Sequence, residues 1–315
     1  MPVTQPASED LPKARIDVTF TIMNVTSTVA AVVLCFWFHS VSAIIAFLVM
    51  YTICGLGLTL GYHRLFAHHA FSVPKWLERL IAVCGYLAVQ RGPIFWVATH
   101  RKHHLDTDVP GRDPHTPEDG LWHVHFGWVQ RRSDDVWDPK IYRKFTPDLN
   151  NDRLYLWMDH ESHDYLTSIV LVILSFALGG LIGADFRGCS VYNGICFLAW
   201  VGLLNRVALL QAFGLINSVC HLIGSRPFQT TGSDSSANNL LVALIIFGEG
   251  WHNNHHAFPA AARQGLRWYQ PDVAWYVIWT LKKLGLASNV RLVSPQAMAR
   301  KAGKPGLLSI RSGRV

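Results

Sequence analysis

Four long runs almost free of charge decide most of what this chain can become. Phe20–Phe38 is 19 residues without an Asp, Glu, Lys or Arg, about 28 Å as a helix and so a match for the hydrocarbon core of a bilayer. Ala43–Leu60 is a second such run, and only His39, Ser40, Val41 and Ser42 separate the two. They predict a tight out-and-back hairpin. Leu166–Gly183 and Ile195–Ile216 form a second pair, joined around Arg187 and interrupted only by Arg206. The alternative is a soluble protein with four buried helices. Charged residues are 16% of this chain, against about a quarter in a soluble domain, which leaves little to cover four such helices. The expected fold class is therefore all-α integral membrane: four transmembrane helices with a helical cap outside the bilayer.

The cap has to come from what lies between and after the spans. Residues 61 to 165 are rich in His, Arg, Asp and Trp, and 217 to 290 hold the short apolar run Leu240–Phe247, whose eight residues cannot cross a bilayer. That run reads as a re-entrant support. Asp272–Leu286 reads as an interfacial amphipathic helix, with Trp275, Tyr276 and Trp279 suited to headgroup depth. The chain then divides into a polar segment 1–18, a membrane domain 19–290 and a basic tail 291–315. Residues 1–18 carry mixed charge, unlike the cationic lead of a cleaved signal. The net charge of +7 is mostly the tail, where Arg291, Arg300, Lys301, Lys304, Arg311 and Arg314 stand without an acid. Such a tail is expected to be disordered and drawn to anionic headgroups; nothing points to nucleic acid. The short loops at 39–42 and 184–194 hold only Arg187, whereas Arg64, Lys75, Arg79, Arg226, Arg263, Arg267 and the tail lie on the other side. The positive-inside rule thus predicts a multi-pass protein with both termini and the cap cytoplasmic. The six cysteines make no CxxC pair and read as small buried hydrophobes.

The 16 histidines are not scattered. His63 and His68 form an HxxxxH box directly after the second run. His100, His103 and His104 form an HxxHH box, and so do His252, His255 and His256. On a helix i, i+3 and i+4 share a face, so each box can aim its imidazoles at a common point. The topology gathers all three boxes at one side of the membrane. His39, His115, His160 and His163 stand alone and read as hydrogen-bonded histidines without a ligand role. Ionisable clusters at a membrane edge are costly unless they bind something, and the boxes point to metal.

Eight box histidines are too many for one ion, so two ions are expected. No Asp or Glu lies inside a box, whereas a hydrolytic two-metal site would recruit bridging carboxylates. A structural zinc site would close with four ligands, typically including Cys. Nitrogen-only ligation with open positions favours iron and dioxygen chemistry. HExxH, GxSxG, a Walker loop and GxGxxG are all absent, so electrons for a redox-active metal have to come from a partner.

The strings GYHRLFAH (61–68), WVATHRKHH (96–104), DPH (113–115), HFGW (125–128), NSVCH (217–221) and GEGWHNNHHAFP (248–259) resemble the membrane fatty-acyl desaturases, in particular the delta-9, stearoyl-CoA-desaturase-like branch and its bacterial and cyanobacterial members. The likeness runs from about Ala43 to Leu292. It implies four spans beneath a cytosolic cap and a di-iron centre held by His63, His68, His100, His103, His104, His252, His255 and His256. It adds His221 as a ninth ligand, Asn217 as a residue reaching metal through water, and Gln90 and Trp96 beside the bend of a bound acyl chain. It also implies two iron ions as cofactor, O2 as co-substrate, and an electron donor such as ferredoxin or cytochrome b5. The substrate would be a fatty acyl chain on CoA, on acyl carrier protein or in a lipid. The activity implied is oxygen-dependent formation of a cis double bond, at the delta-9 position.

Such a reaction breaks unactivated C–H bonds, which side-chain acids and bases cannot do; the cofactor carries that chemistry and the protein fixes which carbon meets it. Phe47 and Tyr51, one turn apart on the second span, can plug a tunnel among the spans or face lipid or core. A membrane hydroxylase shares this kind of box, and a non-enzymatic metal-binding or transport protein is the rival of another class. Transport predicts ionisable residues within the spans, and these spans carry almost none before Arg206.

Overall fold

The computed structural model describes residues 15–132, 138–184, 188–302 and 309–310. Most of residues 1–18, together with Arg187, Lys304, Arg311 and Arg314, lie outside them. The described residues are mostly helical, and four helices are long and apolar enough to cross a membrane: 18–37, 41–67, 162–182 and 191–222. The first is α1 (Val18–Trp37), whose first turn is capped by Asp17 accepting from Phe20 N at 3.0 Å. The second begins as α2 (Val41–Leu56), capped by Ser40, and continues without a break as a π-helical stretch, Gly57–Ala67. α3 (Lys75–Tyr86) and α4 (Pro93–Leu105) follow in the cap. The third span is α5 (Glu161–Ile182). The fourth joins α6 (Val191–Phe197), a second π-helical stretch Leu198–Leu204, and α7 (Asn205–Leu222).

Two of these helices exceed the apolar runs that announce them. The second spans 27 residues and the fourth 32, about 40 and 48 Å at 1.5 Å per residue. Their surplus is longer than a hydrocarbon core needs and carries His63, Asn217 and His221, so these helices themselves deliver side chains to the cap. Within the spans the outward residues are apolar: Val32, Phe36, Ile45, Leu48, Ile173 and Leu178 are all exposed, as contact with lipid requires. At the far end Ser40 donates to Asn193 Oδ1 at 2.7 Å, and Trp200 Nε1 donates to Phe38 O at 3.0 Å. These bonds satisfy groups left open at helix ends and tie the first hairpin to the second.

Short elements complete the cap: α8 (Leu240–Ile245), α9 (His252–Ala257), α10 (Val273–Lys283) and α11 (Pro295–Lys301). Two antiparallel ladders of two residues per strand pair Arg15–Ile16 with Arg131–Arg132 and Ile223–Gly224 with Ser309–Ile310. The apolar run 240–247 makes only the six-residue α8, which leaves Leu240, Leu241 and Leu244 exposed beside the spans. α10 is capped by Asp272 and exposes Tyr276 and Trp279, while Trp275 packs inward on the core. Two of the three aromatics expected at headgroup depth are thus on the outside, and the third is not. Part of the tail expected to be disordered is ordered: α11 lies there, capped by Ser294, and Lys301 donates to Ala257 O at 2.7 Å.

Glycine sets the closest approach in the core. A Cβ on Gly57 would stand 2.2 Å from Gly85 N and 2.4 Å from Cys84 C, so the second span and α3 touch backbone to backbone. That contact seats the π-helical stretch against the cap.

Candidate metal centre

The first box explains the π-helical turn. In an α-helix residues i and i+5 diverge, but here His68 N bonds His63 O at 3.2 Å, an i to i+5 bond that sets the two residues one turn apart. Their rings lie 4.9 Å apart, centroid to centroid. The wider turn converts an HxxxxH spacing into two imidazoles on one face.

The two HxxHH boxes behave differently from the expectation of one point per box. The described residues hold two all-histidine groups whose ligand atoms lie within 4.8 Å of one another: His63, His68, His100, His104 and His255, and separately His103, His221, His252 and His256. On α4 the i and i+4 residues, His100 and His104, go to the first group and the i+3 residue His103 to the second. On α9 the assignment is reversed: His252 and His256 join the second group and His255 the first. Each box feeds both groups. The physical reason is that the shared face of i, i+3 and i+4 is wide. When two such faces meet head to head, i+3 of one helix falls among i and i+4 of the other.

Within each group the Nε2 atoms converge. His63 Nε2 is 3.1 Å from His255 Nε2, which is itself 2.8 Å from His104 Nε2. His68 and His100 approach to 2.7 Å, and His221 and His252 to 3.0 Å. On the opposite edges several rings are held by carboxylates. His63 Nδ1 pairs with Glu249, His103 Nδ1 lies 2.8 Å from Asp113 Oδ2, His221 Nδ1 3.0 Å from Asp108 Oδ1, and His256 Nδ1 3.0 Å from Asp234 Oδ2. A carboxylate keeps the proton on Nδ1 and leaves Nε2 with a lone pair. The Nε2 atoms of His103 and His256 are buried with no hydrogen-bond partner. Converging lone pairs and orphaned buried nitrogens fit a cation in each group.

Electrostatics agree. Burial, then the neighbouring imidazoles, hold His68, His100, His104, His252, His255 and His256 well below the usual histidine value of 6.5. Neutral imidazole is the form that ligates metal. His103 goes the other way: burial pushes it down, but Asp113, with Asp108 and Asp234 behind it, raises it above the ordinary value. Asp113 and Asp108 are held below theirs; burial opposes this, and for each the partner histidine heads the interactions that overcome it.

A further layer fixes the carboxylates. Arg64, fully buried on the π-helical stretch, donates through Nε and Nη2 to Glu249 Oε1 at 3.2 and 3.1 Å and through Nη1 to Asp272 Oδ2 at 3.1 Å. Arg101, between the histidines of the second box, donates to Phe66 O at 2.6 Å, Ala67 O at 3.2 Å and both oxygens of Asp148. It thereby caps the helix that bears the first box. The two asparagines of HNNHH clamp loops: Asn253 bonds the backbone of Phe228, and Asn254 bridges Asn238, Gln264 and Gln270.

Gln90, Trp96, His100 and Asn217 line one cavity of about 790 Å³ of empty space, counting its open mouth, together with Phe20 and Asn24 of α1 and Phe213 of α7. Trp96 stacks on His100 at 5.3 Å. A smaller cavity touching both histidine groups is lined by Asn217, Trp96, His63, His103 and His252. Phe47 and Tyr51 are not among the residues lining either. Phe47 packs on Trp200, and Tyr51 packs on Phe247 and donates to Ile245 O at 3.1 Å.

Several site residues escaped the sequence reading. His115 is not a lone histidine: its ring lies tilted against that of His103 with centroids 4.4 Å apart, its backbone N–H donates to the Asp113 carboxylate that also holds His103, and burial pushes its imidazole down to about 3. The strings DPH and GEGW contain Asp113, His115 and Glu249, but no spacing rule connects them to a particular ring. Asp108 and Asp234 lie in loops 113 and 22 residues from the rings they hold; no local signal marks them.

Comparison with known proteins places these features. Residues 27–289 match the family described as fatty acid desaturase. The chain is 39% identical over 262 residues to the sn-2 palmitoyl-lipid 9-desaturase of Nostoc sp. (strain 36), covering 82% of this chain and 85% of that one. It is 41% identical over 256 residues to Delta-9 acyl-lipid desaturase 1 of Arabidopsis thaliana, covering 81% and 77%. Its identity to icosanoyl-CoA 5-desaturase of Limnanthes douglasii is 40% over 237 residues, covering 75% and 61%.

Proposed function

This chain belongs to the fatty acid desaturase family, and from that premise we propose that nine of its 16 histidines hold two iron ions beside a lipid-bound acyl chain, which is desaturated at the delta-9 position. It is an oxidoreductase acting on fatty acyl substrates. The net reaction takes two hydrogens from adjacent methylenes: –CH2–CH2– with O2, two electrons and two protons gives –CH=CH– and two waters. The electrons come from a carrier protein of the ferredoxin or cytochrome b5 class.

The observation that carries this reading is one cavity that joins a wall formed by two of the apolar span helices, Phe20 and Phe213, to His100 of the first histidine group. His63, His68, His100, His104 and His255 would hold one ion; His103, His221, His252 and His256 would hold the other, with Asn217 reaching it through water. Iron bound there supplies the oxidising power that C–H cleavage needs. The side chains do the rest. Carboxylates keep the ligand rings in one tautomer, Trp96 braces His100, and the apolar lining excludes water and orients the chain.

The lining also speaks to the carrier. Arg91 is the one Lys or Arg among the described lining residues, and it lies near the carboxylates of Asp17 and Asp164. A CoA headgroup would need surplus cations at its phosphates; a glycerolipid entering from the bilayer would not. The relatives named as lipid 9-desaturases support the same choice. The cap is taken to face the cytoplasm, from the positive charge on that side. Expression in a host lacking its own desaturase, with fatty acids profiled by lipid class, tests all of this. A cis-9 acid confined to glycerolipids is expected. A product that has gained oxygen would make it a hydroxylase, and unsaturation confined to acyl-CoA would overturn the carrier.

A further inference from the structure

Between α3 and α4 the chain turns through Val89, Gln90 and Arg91, all three of which line the larger cavity. Val89 has φ 53° and Arg91 φ 74°. Left-handed backbone at a β-branched residue is a steric outlier, and such strain persists only where the surroundings over-determine it. They do so here on three sides. Val89 N bonds Tyr86 O at 2.9 Å, closing the end of α3. Gly92 presses on the next segment, where a Cβ would stand 2.5 Å from Met158 O. The buried guanidinium of Arg91 lies 3.5 Å from Asp17 Oδ2, at the start of the first span, and 3.7 Å from Asp164 Oδ2, at the start of the third. It also covers the ring of Phe20 at 4.7 Å.

The middle residue of this turn, Gln90, shares the cavity with Trp96 and His100, which lie along α4, and its Nε2 is buried without a hydrogen-bond partner. Because the turn leads directly into α4, its conformation sets the distance from the Gln90 end of the cavity to the histidine group. A chain lying in the cavity would be measured by that distance.

We propose that Arg91 is a positioning residue for regiochemistry: by pinning the strained 89–91 turn to the first and third spans, it fixes which pair of methylenes meets the metal centre. This rests on the desaturase reading above. Arg91 touches the outcome through Gln90 and the turn, and Asp17 and Asp164 act with it.

The test is the position of the double bond, read by mass spectrometry of derivatised fatty acids from a desaturase-lacking host that supplies acyl lipid and reduced electron carrier and expresses the wild type or the variants Arg91→Lys, Asp164→Asn and Val89→Gly, alongside metal content per chain of the purified proteins. Arg91→Lys keeps the charge and loses the fork, and Asp164→Asn is isosteric. Val89→Gly removes the steric cost of φ 53°, so it folds readily while letting the turn leave its conformation. The wild type is expected to give one position. In the variants metal content stays at the wild-type level, and the share of isomers displaced along the chain rises several-fold. Variants that turn over more slowly but keep the wild-type position would overturn the proposal, because a merely structural role alters amount without altering position. No unsaturated product from the metal-loaded wild type would instead overturn the desaturase reading.

Discussion

The exchange of i+3 histidines between α4 and α9 makes a quantitative prediction about metal retention. His255 belongs with His104 in one group, while its chain neighbour His256 belongs with His103 in the other. A four-ligand site worth about 10–16 kcal/mol loses roughly 2–4 kcal/mol per ligand when the total is shared over four or five donors. That weakens binding about 30- to 700-fold, enough for a competing chelator to strip the damaged site and spare the intact one. Wild-type protein dialysed against such a chelator should keep two ions per chain by elemental analysis, and His255→Ala and His256→Ala should each keep one. The double variants separate the possibilities. His255→Ala with His104→Ala damages one group twice and should still keep one ion. His255→Ala with His256→Ala damages both and should keep none. If each box instead formed a site of its own the two results would exchange, and the partition derived from the geometry would be refuted.

Three further outcomes follow from the same geometry. Glu249→Gln removes the charge that faces His63 Nδ1 and Arg64 while Asp272 still holds the arginine; metal affinity should fall about 10- to 100-fold, measured by chelator competition, with helical circular dichroism unchanged. Gly57→Ala drives a methyl into backbone atoms of Cys84 and Gly85 that cannot move aside; overpacking of about 1–3 kcal/mol or more should appear as a lower melting temperature and less monodisperse protein, and full tolerance would show that the close approach is not required. In the metal-free protein, six histidines held below 6.5 stay neutral while the unfolded chain takes up protons. Stability is therefore complete above the unfolded value and is lost as pH falls below it, by up to about 1.4 kcal/mol per group for each pH unit. His103, raised above 6.5, works oppositely and does not offset six. A melting temperature that rises on acidification from pH 7.5 to 5.5 would contradict the reasoning.

The four spans and the box histidines that cluster were legible because their signals are local. An uncharged run of about twenty residues has one common solution in a cell, and an HxxHH box fixes its rings to one helical sector. The likeness to a known family added His221, which spacing alone does not mark. For Phe47 and Tyr51 helical phase gives one side of the second span and leaves open what that side meets, which depends on the neighbouring helices. Here that side meets Trp200 and Phe247.

What only the tertiary structure decided is how the boxes divide and what holds them. The assignment of His103 to one group and His104 to the other arises because α4 and α9 meet face to face. The carboxylates of Asp108 and Asp234 reach His221 and His256 from separate loops, and the 89–91 turn meets its anchors Asp17 and Asp164 from far along the chain. Sequence by itself determined that this chain carries four runs long and apolar enough to cross a membrane and eight histidines in three boxes next to them. Only packing could determine the pairing of distant groups, because the energies that select it are contact and burial terms with no footprint in any single stretch of residues.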